Sequence, residues 1–202
     1  MIDMATITAA LARGESPAVP LPQRALTLLP PWWWLILWAG KRIENRAPSV
    51  AGRLRGWRGW LTLTASKVAD LSDAIAAHRD AFIVTGARWT GPERWTLRDA
   101  IARAGHVVAL AELVGVVANG PAPRDPWAVP GEHGLRLGAV LEVEPIPCVG
   151  GRGAFWIGAC AGCGMPGPRE TEGAAMTCRK CKLEAPVAGA QPMVTIRRVC
   201  GT

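Results

Sequence analysis

Tyrosine is absent from this 202-residue chain and phenylalanine occurs only twice, whereas tryptophan occurs ten times. Any ring that stacks on a ligand is therefore expected to be tryptophan. Acidic residues are scarce beside basic ones, 16 against 23, giving a formal charge of +7 and a pI near 9.6. An anionic partner fits that balance, nucleic acid being the commonest, although many basic proteins bind none. Half of the residues are hydrophobic and 19% are charged, which excludes a chain disordered throughout. Residues 1–19 lack the basic start, apolar stretch and small-residue cleavage site of a signal peptide. Long apolar runs are missing as well. Ala25 to Gly40 holds 16 uncharged residues, short of the roughly 20 that a spanning helix needs. Pro30-Pro31 splits that run near its start, and no second apolar run completes a hairpin. The expectation is a cytoplasmic protein with no membrane partner.

What is present divides into four parts. Residues 1–23 have few large apolar side chains and carry Pro17, Pro20 and Pro22, which predicts a flexible arm. Residues 24–157 hold the main domain. Arg24 to Leu29 reads as a strand, and "PPWWWLILWAG" as a helix from about Trp32 to Ala39, with Pro31 in its first turn and Gly40 as its stop. Ala51 to Gly59 is a Gly/Arg-rich loop or hairpin approach, and Trp60 to Ala65 alternates like a half-buried strand. Amphipathic helices are predicted over Lys67 to Arg79 and Leu97 to Ala104, the second capped by Thr96 and ended by Gly105. "HVVALAELVGVV" from His106 predicts a central strand, followed by a Pro/Gly-rich loop containing Trp127. Gly138 to Glu144 alternates, with Leu141 and Val143 inward and Glu142 and Glu144 outward, and "GAFWI" at 153–157 adds a short strand. Many short strands with helices between them imply an α+β fold, a small and partly open β-barrel with helices packed on it.

The third part, residues 158–185, carries Cys160-x-x-Cys163 and Cys178-x-x-Cys181, with 14 residues between the pairs. Two intervening residues let one turn present both sulfurs to a single ion, and four thiolates close a tetrahedral Zn2+ site with no open position. The expected metal role is structural, folding a ribbon too small to bury its own core. The Arg and Lys residues of this ribbon are offset by Glu170, Glu172 and Glu184. A scaffold role fits it better than contact with nucleic acid. A deaminase-type catalytic zinc would need a His-x-Glu motif, and His133 stands instead between Glu132 and Gly134. Cys148 and Cys200 are left as ordinary thiols. The fourth part, 186–202, contains the strand-like Met193 to Val199, whose partner, ribbon or barrel, the sequence leaves open.

Between Lys41 and Trp60 stand six basic residues, Lys41, Arg42, Arg46, Arg53, Arg55 and Arg58, against one acid, Glu44. Trp57 and Trp60 are interleaved with them. Guanidinium groups match phosphates and indole faces stack on bases, so this composition suits a nucleic-acid surface. It equally suits a solvated basic loop flanking core tryptophans.

Four blocks, "ALTLLPPWWWLILWAGKRIENRAP", "RGWLTLTASK", "GHVVALAELV" and "PIPCVGGRGAFWI", resemble in order those of the ASCH domain family of the PUA-like superfamily, over roughly 24–157. The most specific element is Gly40-Lys41-x-x-Glu44-x-Arg46 after a Pro-Trp-started helix. The resemblance implies a PUA-like barrel associated with RNA or nucleotide binding, with Lys41, Glu44 and Arg46 facing a ligand cleft. Lys41 and Arg46 would meet a phosphate or carbonyl oxygen, and Glu44 would accept from an exocyclic amine. The other reading of Glu44 and Arg46 is an internal ion pair that orders the loop. This chain departs from the family in having Pro30-Pro31-Trp32 where Gln-Pro-Trp is common. A branch that hydrolyses N4-acetylcytidine places a threonine nucleophile three residues after the lysine, where this chain has Glu44.

Three functions follow as expectations. The first is a module binding RNA or a nucleotide-like ligand through Lys41, Glu44, Arg46, Arg53, Arg55, Trp57 and Arg58, with an appended zinc ribbon. The second is an amidohydrolase acting on an acylated nucleoside, in which Lys41 and Glu44 activate water as acid and base. The third is a protein-interaction adaptor of the transcription-coactivator type.

Overall fold

The computed structural model describes residues 2–30, 32–66, 99, 102–121, 123–148 and 192–200, together with the strands at 154–159 and 166–169. The predicted helix over 67–79, half of the one over 97–104, Pro31 and the four zinc-motif cysteines lie outside these residues.

The chain begins with α1 (Met4–Ala12) and β1 (Ala18–Pro20), where the sequence predicts a flexible arm. This is a correction, and its physical basis is local. Asp3 caps α1, accepting the Ala5 N–H at 3.0 Å and the Thr6 hydroxyl at 2.6 Å. The Thr6 and Ala5 bonds hold the Asp3 carboxyl below the ordinary carboxylate range. Few large apolar residues suffice here, because Ile7, Val19 and Leu21 are all buried against the sheet.

Next come β2 (Arg24–Leu28), α2 (Trp32–Trp38), β3 (Ile43–Arg46), α3 (Pro48–Gly52) and β4 (Gly59–Ala65). Then follow β5 (His106–Ala118), β6 (His133–Pro147), β7 (Ala154–Ala159), β8 (Pro166–Arg169) and β9 (Met193–Cys200). The strand order is β1-β9-β6-β5-β4-β2-β7-β8, with β3 also on β6. Only β2 and β4 run parallel among these pairs, joined by a crossover that carries α2, β3 and α3. The mixed, strand-rich sheet agrees with an α+β class; among the described residues it does not close into a barrel. The open question about the tail is settled, since β9 pairs with both β1 and β6. The Ala51–Gly59 passage is part helix, α3, started by Pro48 in its first turn.

Two apolar clusters occupy the sheet's faces. One gathers α2, Leu54 and the inward residues of β2, β4, β5 and β6; the other gathers α1, β1, β9, Leu141 and Val143. Every residue of α2 from Trp33 to Trp38 is buried, and a helix apolar on all sides needs such a site. No helix among the described residues is long and apolar enough to cross a membrane.

Because β6 is covered on both faces, alternation along it no longer sorts inside from outside. Leu141 and Val143 face the second cluster as predicted, and Glu144 is exposed, bonded to Arg197 at 2.6 Å. Glu142, predicted outward, is buried beside Trp38, where Arg198 from β9 pairs with it at 2.6 Å.

Candidate functional site

Gly40 follows α2 with φ +68°, the left-handed conformation that glycine tolerates best. The chain reverses there, so that the Lys41 N–H reaches back to the Leu35 carbonyl at 3.1 Å. Lys41 is thereby set under the helix end and β3 is launched along the first residues of β6. Strand alternation sends Glu44 and Arg46 to one face and Ile43 and Asn45 to the other.

On the first face Lys41, Glu44 and Arg46 form a closed ionic triad. Lys41 Nζ donates to the Ile43 carbonyl and to Glu44 Oε2 at 2.8 Å, and it lies 5.6 Å from the centre of the Trp32 ring. Arg46 Nη2 is 3.0 Å from Glu44 Oε1 and donates to the Thr27 carbonyl at 2.7 Å. Both Glu44 oxygens therefore meet cations. Lys41 is 1% and Glu44 4% exposed, while the Arg46 side chain is 20% exposed. Arg46 is the member through which the triad reaches the surface, and its Nε is buried with no hydrogen-bond partner. The internal pairing that the sequence left as an alternative thus exists, in a three-membered form.

The second face of β3 fastens the 120–132 loop. Asn45 Oδ1 accepts from the Val129 N–H at 2.9 Å and from Asn119 Nδ2 at 3.0 Å, and Asn45 Nδ2 donates to the Trp127 carbonyl at 2.7 Å. Asn119 Nδ2 also reaches the Val129 carbonyl at 2.9 Å. Trp127, half-buried, packs against the α2 cluster. Sequence reasoning did not single out Asn45, Asn119 or Trp127 as partners, because the contacts join positions more than 70 residues apart.

The basic loop is a second group. Leu54 is buried and Trp57 half-buried, so the loop is held at positions three residues apart and Arg53, Arg55 and Arg58 are left exposed. Arg24, at the start of β2, lies 5.4 Å from the centre of the Trp57 ring. Arg46 bonds the carbonyl of Thr27, three residues further along the same strand. The two groups therefore meet β2 at points about 10 Å apart along the strand, at roughly 3.3 Å per strand residue.

Arg42, also in the basic run, faces inward. It donates to the Ile36 carbonyl at 2.9 Å, the Lys41 carbonyl at 3.1 Å and the Cys200 carbonyl at 2.8 Å, tying the end of α2 to β9. Burial lowers its pKa from the ordinary guanidinium value. A further cluster missed from sequence surrounds Glu142, where Arg198 pairs at 2.6 Å and Arg103 at 3.6 Å. The Trp38 Nε1–H points at the same carboxylate from 3.4 Å. Cys148 and Cys200 are buried. Burial pushes the Cys148 thiol up to about 12 and raises that of Cys200, so neither presents a reactive thiolate.

Cys160, Cys163, Cys178 and Cys181 lie outside the described residues; within those residues no group of metal-binding side chains is gathered. No protein-family model matches the chain, and no curated protein matches it.

Proposed function

We propose that this chain is a binding module for RNA or a nucleotide-like ligand. Arg46 and the exposed Arg53, Arg55 and Arg58, with Trp57 among them, form its contact surface. The observation that carries the reading is the division of labour among the basic residues. Lys41, Glu44 and Arg42 are bonded inside and fix the backbone, whereas Arg53, Arg55 and Arg58 are exposed and Arg46, paired with Glu44, keeps part of its side chain at the surface. Guanidinium groups beside a half-buried indole suit a phosphate and a stacked base together. The resemblance to the ASCH family supports the same reading. The amidohydrolase alternative asks Lys41 and Glu44 to activate water, and their burial and mutual pairing oppose it.

Fluorescence anisotropy with short single- and double-stranded RNA and DNA at several salt concentrations tests this. Affinity is expected to fall as salt rises. Replacing Arg53, Arg55 and Arg58 together by glutamine is expected to reduce the log–log slope by about 2 for a single strand, at roughly 0.7 per phosphate contact. Binding that is absent throughout, or that salt does not change, would overturn the reading.

In this proposal the Cys160/Cys163 and Cys178/Cys181 pairs hold a structural Zn2+ that scaffolds the C-terminal ribbon. Purified protein is expected to carry a single equivalent of zinc by elemental analysis. Cys160→Ser with Cys178→Ser should lose it, because one thiolate from each pair is then missing. Protein that is metal-free after purification in zinc-supplemented medium would refute the assignment.

A further inference from the structure

Arg46 on β3 and His133 on β6 are directly opposed in an antiparallel pair, so their side chains share one face of the sheet. Glu44 and Leu135, the next opposed pair on that face, lie inward of them, and Leu135 belongs to the α2 core cluster. Each of the outer two residues carries a buried nitrogen with no hydrogen-bond partner, Arg46 Nε and His133 Nδ1. Folded proteins rarely leave such atoms unmatched, and two in register on one face call for a common partner. The sequence reading gave amine recognition to Glu44, but both of its oxygens already meet cations. The unmatched acceptor on that face is His133, whose Nδ1 accepts when the ring proton sits on Nε2.

The local charge argues about what that partner is. Lys41 and Arg46 are both already paired with Glu44, so neither offers an unpaired cation beside the two open nitrogens. A neutral head group suits that balance better than a phosphate. Trp127 and Trp32, both half-buried against the α2 core, offer flat apolar surface near the same end of the sheet.

We propose that Arg46 and His133 form a two-point edge for a nucleobase that carries an amine beside a ring acceptor, with His133 as a specificity-determining residue. Arg46 Nε–H donates to the ring acceptor and the exocyclic amine donates to His133 Nδ1. Cytosine presents that pair on one edge; uracil replaces the amine by a carbonyl. The inference rests on the nucleotide-binding reading and assigns, within it, the group that reads the base.

The experiment is an NMR titration of the full-length protein with cytidine and with uridine, for wild type, His133→Phe and His133→Gln. Wild type is expected to bind cytidine about tenfold more tightly than uridine, the scale of one good two-point base contact. His133→Phe, which keeps a ring and removes both nitrogens, should abolish that preference. His133→Gln, whose amide oxygen can accept from the amine, should retain part of it. The 15N shift of His133 Nδ1 should move as cytidine saturates the wild type, a readout that stands even where the Phe variant does not fold. Wild type that binds both nucleosides equally, with an unmoved Nδ1, would mean that a structural water bridges the two nitrogens, and would overturn this inference alone. Wild type that binds neither nucleosides nor RNA would overturn the nucleotide-binding reading along with it.

Discussion

Replacing Glu44 by alanine is expected to destabilise the protein by about 3–5 kcal/mol, the usual cost of removing one partner from a buried ion pair. Lys41 is 1% exposed, and its ammonium would be left with only the Ile43 carbonyl and the face of Trp32. Arg46 loses the same carboxylate but keeps the Thr27 carbonyl and some access to water, so it contributes less to the penalty. The charge left behind, rather than the value of the bond, sets the size of the effect. Lys41→Met combined with Glu44→Leu should therefore recover most of the loss, because a buried pair replaced by apolar residues of similar volume is often neutral. Urea denaturation of wild type, both single variants and the double variant measures the coupling directly. A loss below about 1 kcal/mol for Glu44→Ala would show that the pair is solvated, as surface pairs of that strength are. Such a result would return Lys41 and Glu44 to the list of groups free to meet a ligand.

That prediction turns on a distinction the sequence could not draw. Gly40-Lys41-x-x-Glu44-x-Arg46 was visible as a unit, because a glycine after a helix and alternating charges in a short strand are local patterns. Which of its charges remain at the surface depends on partners far along the chain: Thr27 for Arg46, Cys200 for Arg42 and the β6 strand for all of β3. The strands β2, β4 and β5 and the helix α2 were legible for the same local reason. Their apolar residues follow the period of the element, and glycine or proline marks their ends. Glu142 was misread because alternation reports which face is apolar, and β6 has both faces covered. The N-terminal segment was misread because composition counts large apolar residues. Ile7, Val19 and Leu21 are few, yet each is buried in a cluster with residues of β5, β6 and β9 that are distant in sequence. His133 was noted only as lacking a zinc motif. Its register opposite Arg46 is a property of the sheet, with no counterpart in sequence spacing.

Trp38→Ala is expected to cost about 3–5 kcal/mol, the range for truncating a large buried aromatic. Its consequences should extend beyond the cavity. Trp38 stands edge-on to Trp33, with centroids 6.0 Å apart, and Trp33 in turn lies 5.8 Å from Trp34. The indole also forms part of the surroundings of Glu142. Its Nε1–H points at the carboxylate from 3.4 Å, and the guanidinium groups of Arg198 and Arg103 lie 5.8 and 6.0 Å from its ring centre. Removing the ring therefore opens a void and lets water reach the pair that fastens β9 to β6. Hydrogen exchange should then show faster opening of the β9 amides in Trp38→Ala, beyond the change caused by an equal destabilisation elsewhere. Trp38→Phe separates the two contributions, since it keeps most of the apolar volume and loses the donor at a bond length already long for a strong hydrogen bond. Its cost should be well below that of alanine, with β9 protection largely kept. If both variants lose β9 protection equally, the Nε1–Glu142 contact governs the attachment of the strand. If neither does, β9 is held by its pairing with β1 and by the Arg42 bond to Cys200, and the tryptophans of α2 act as core filling alone.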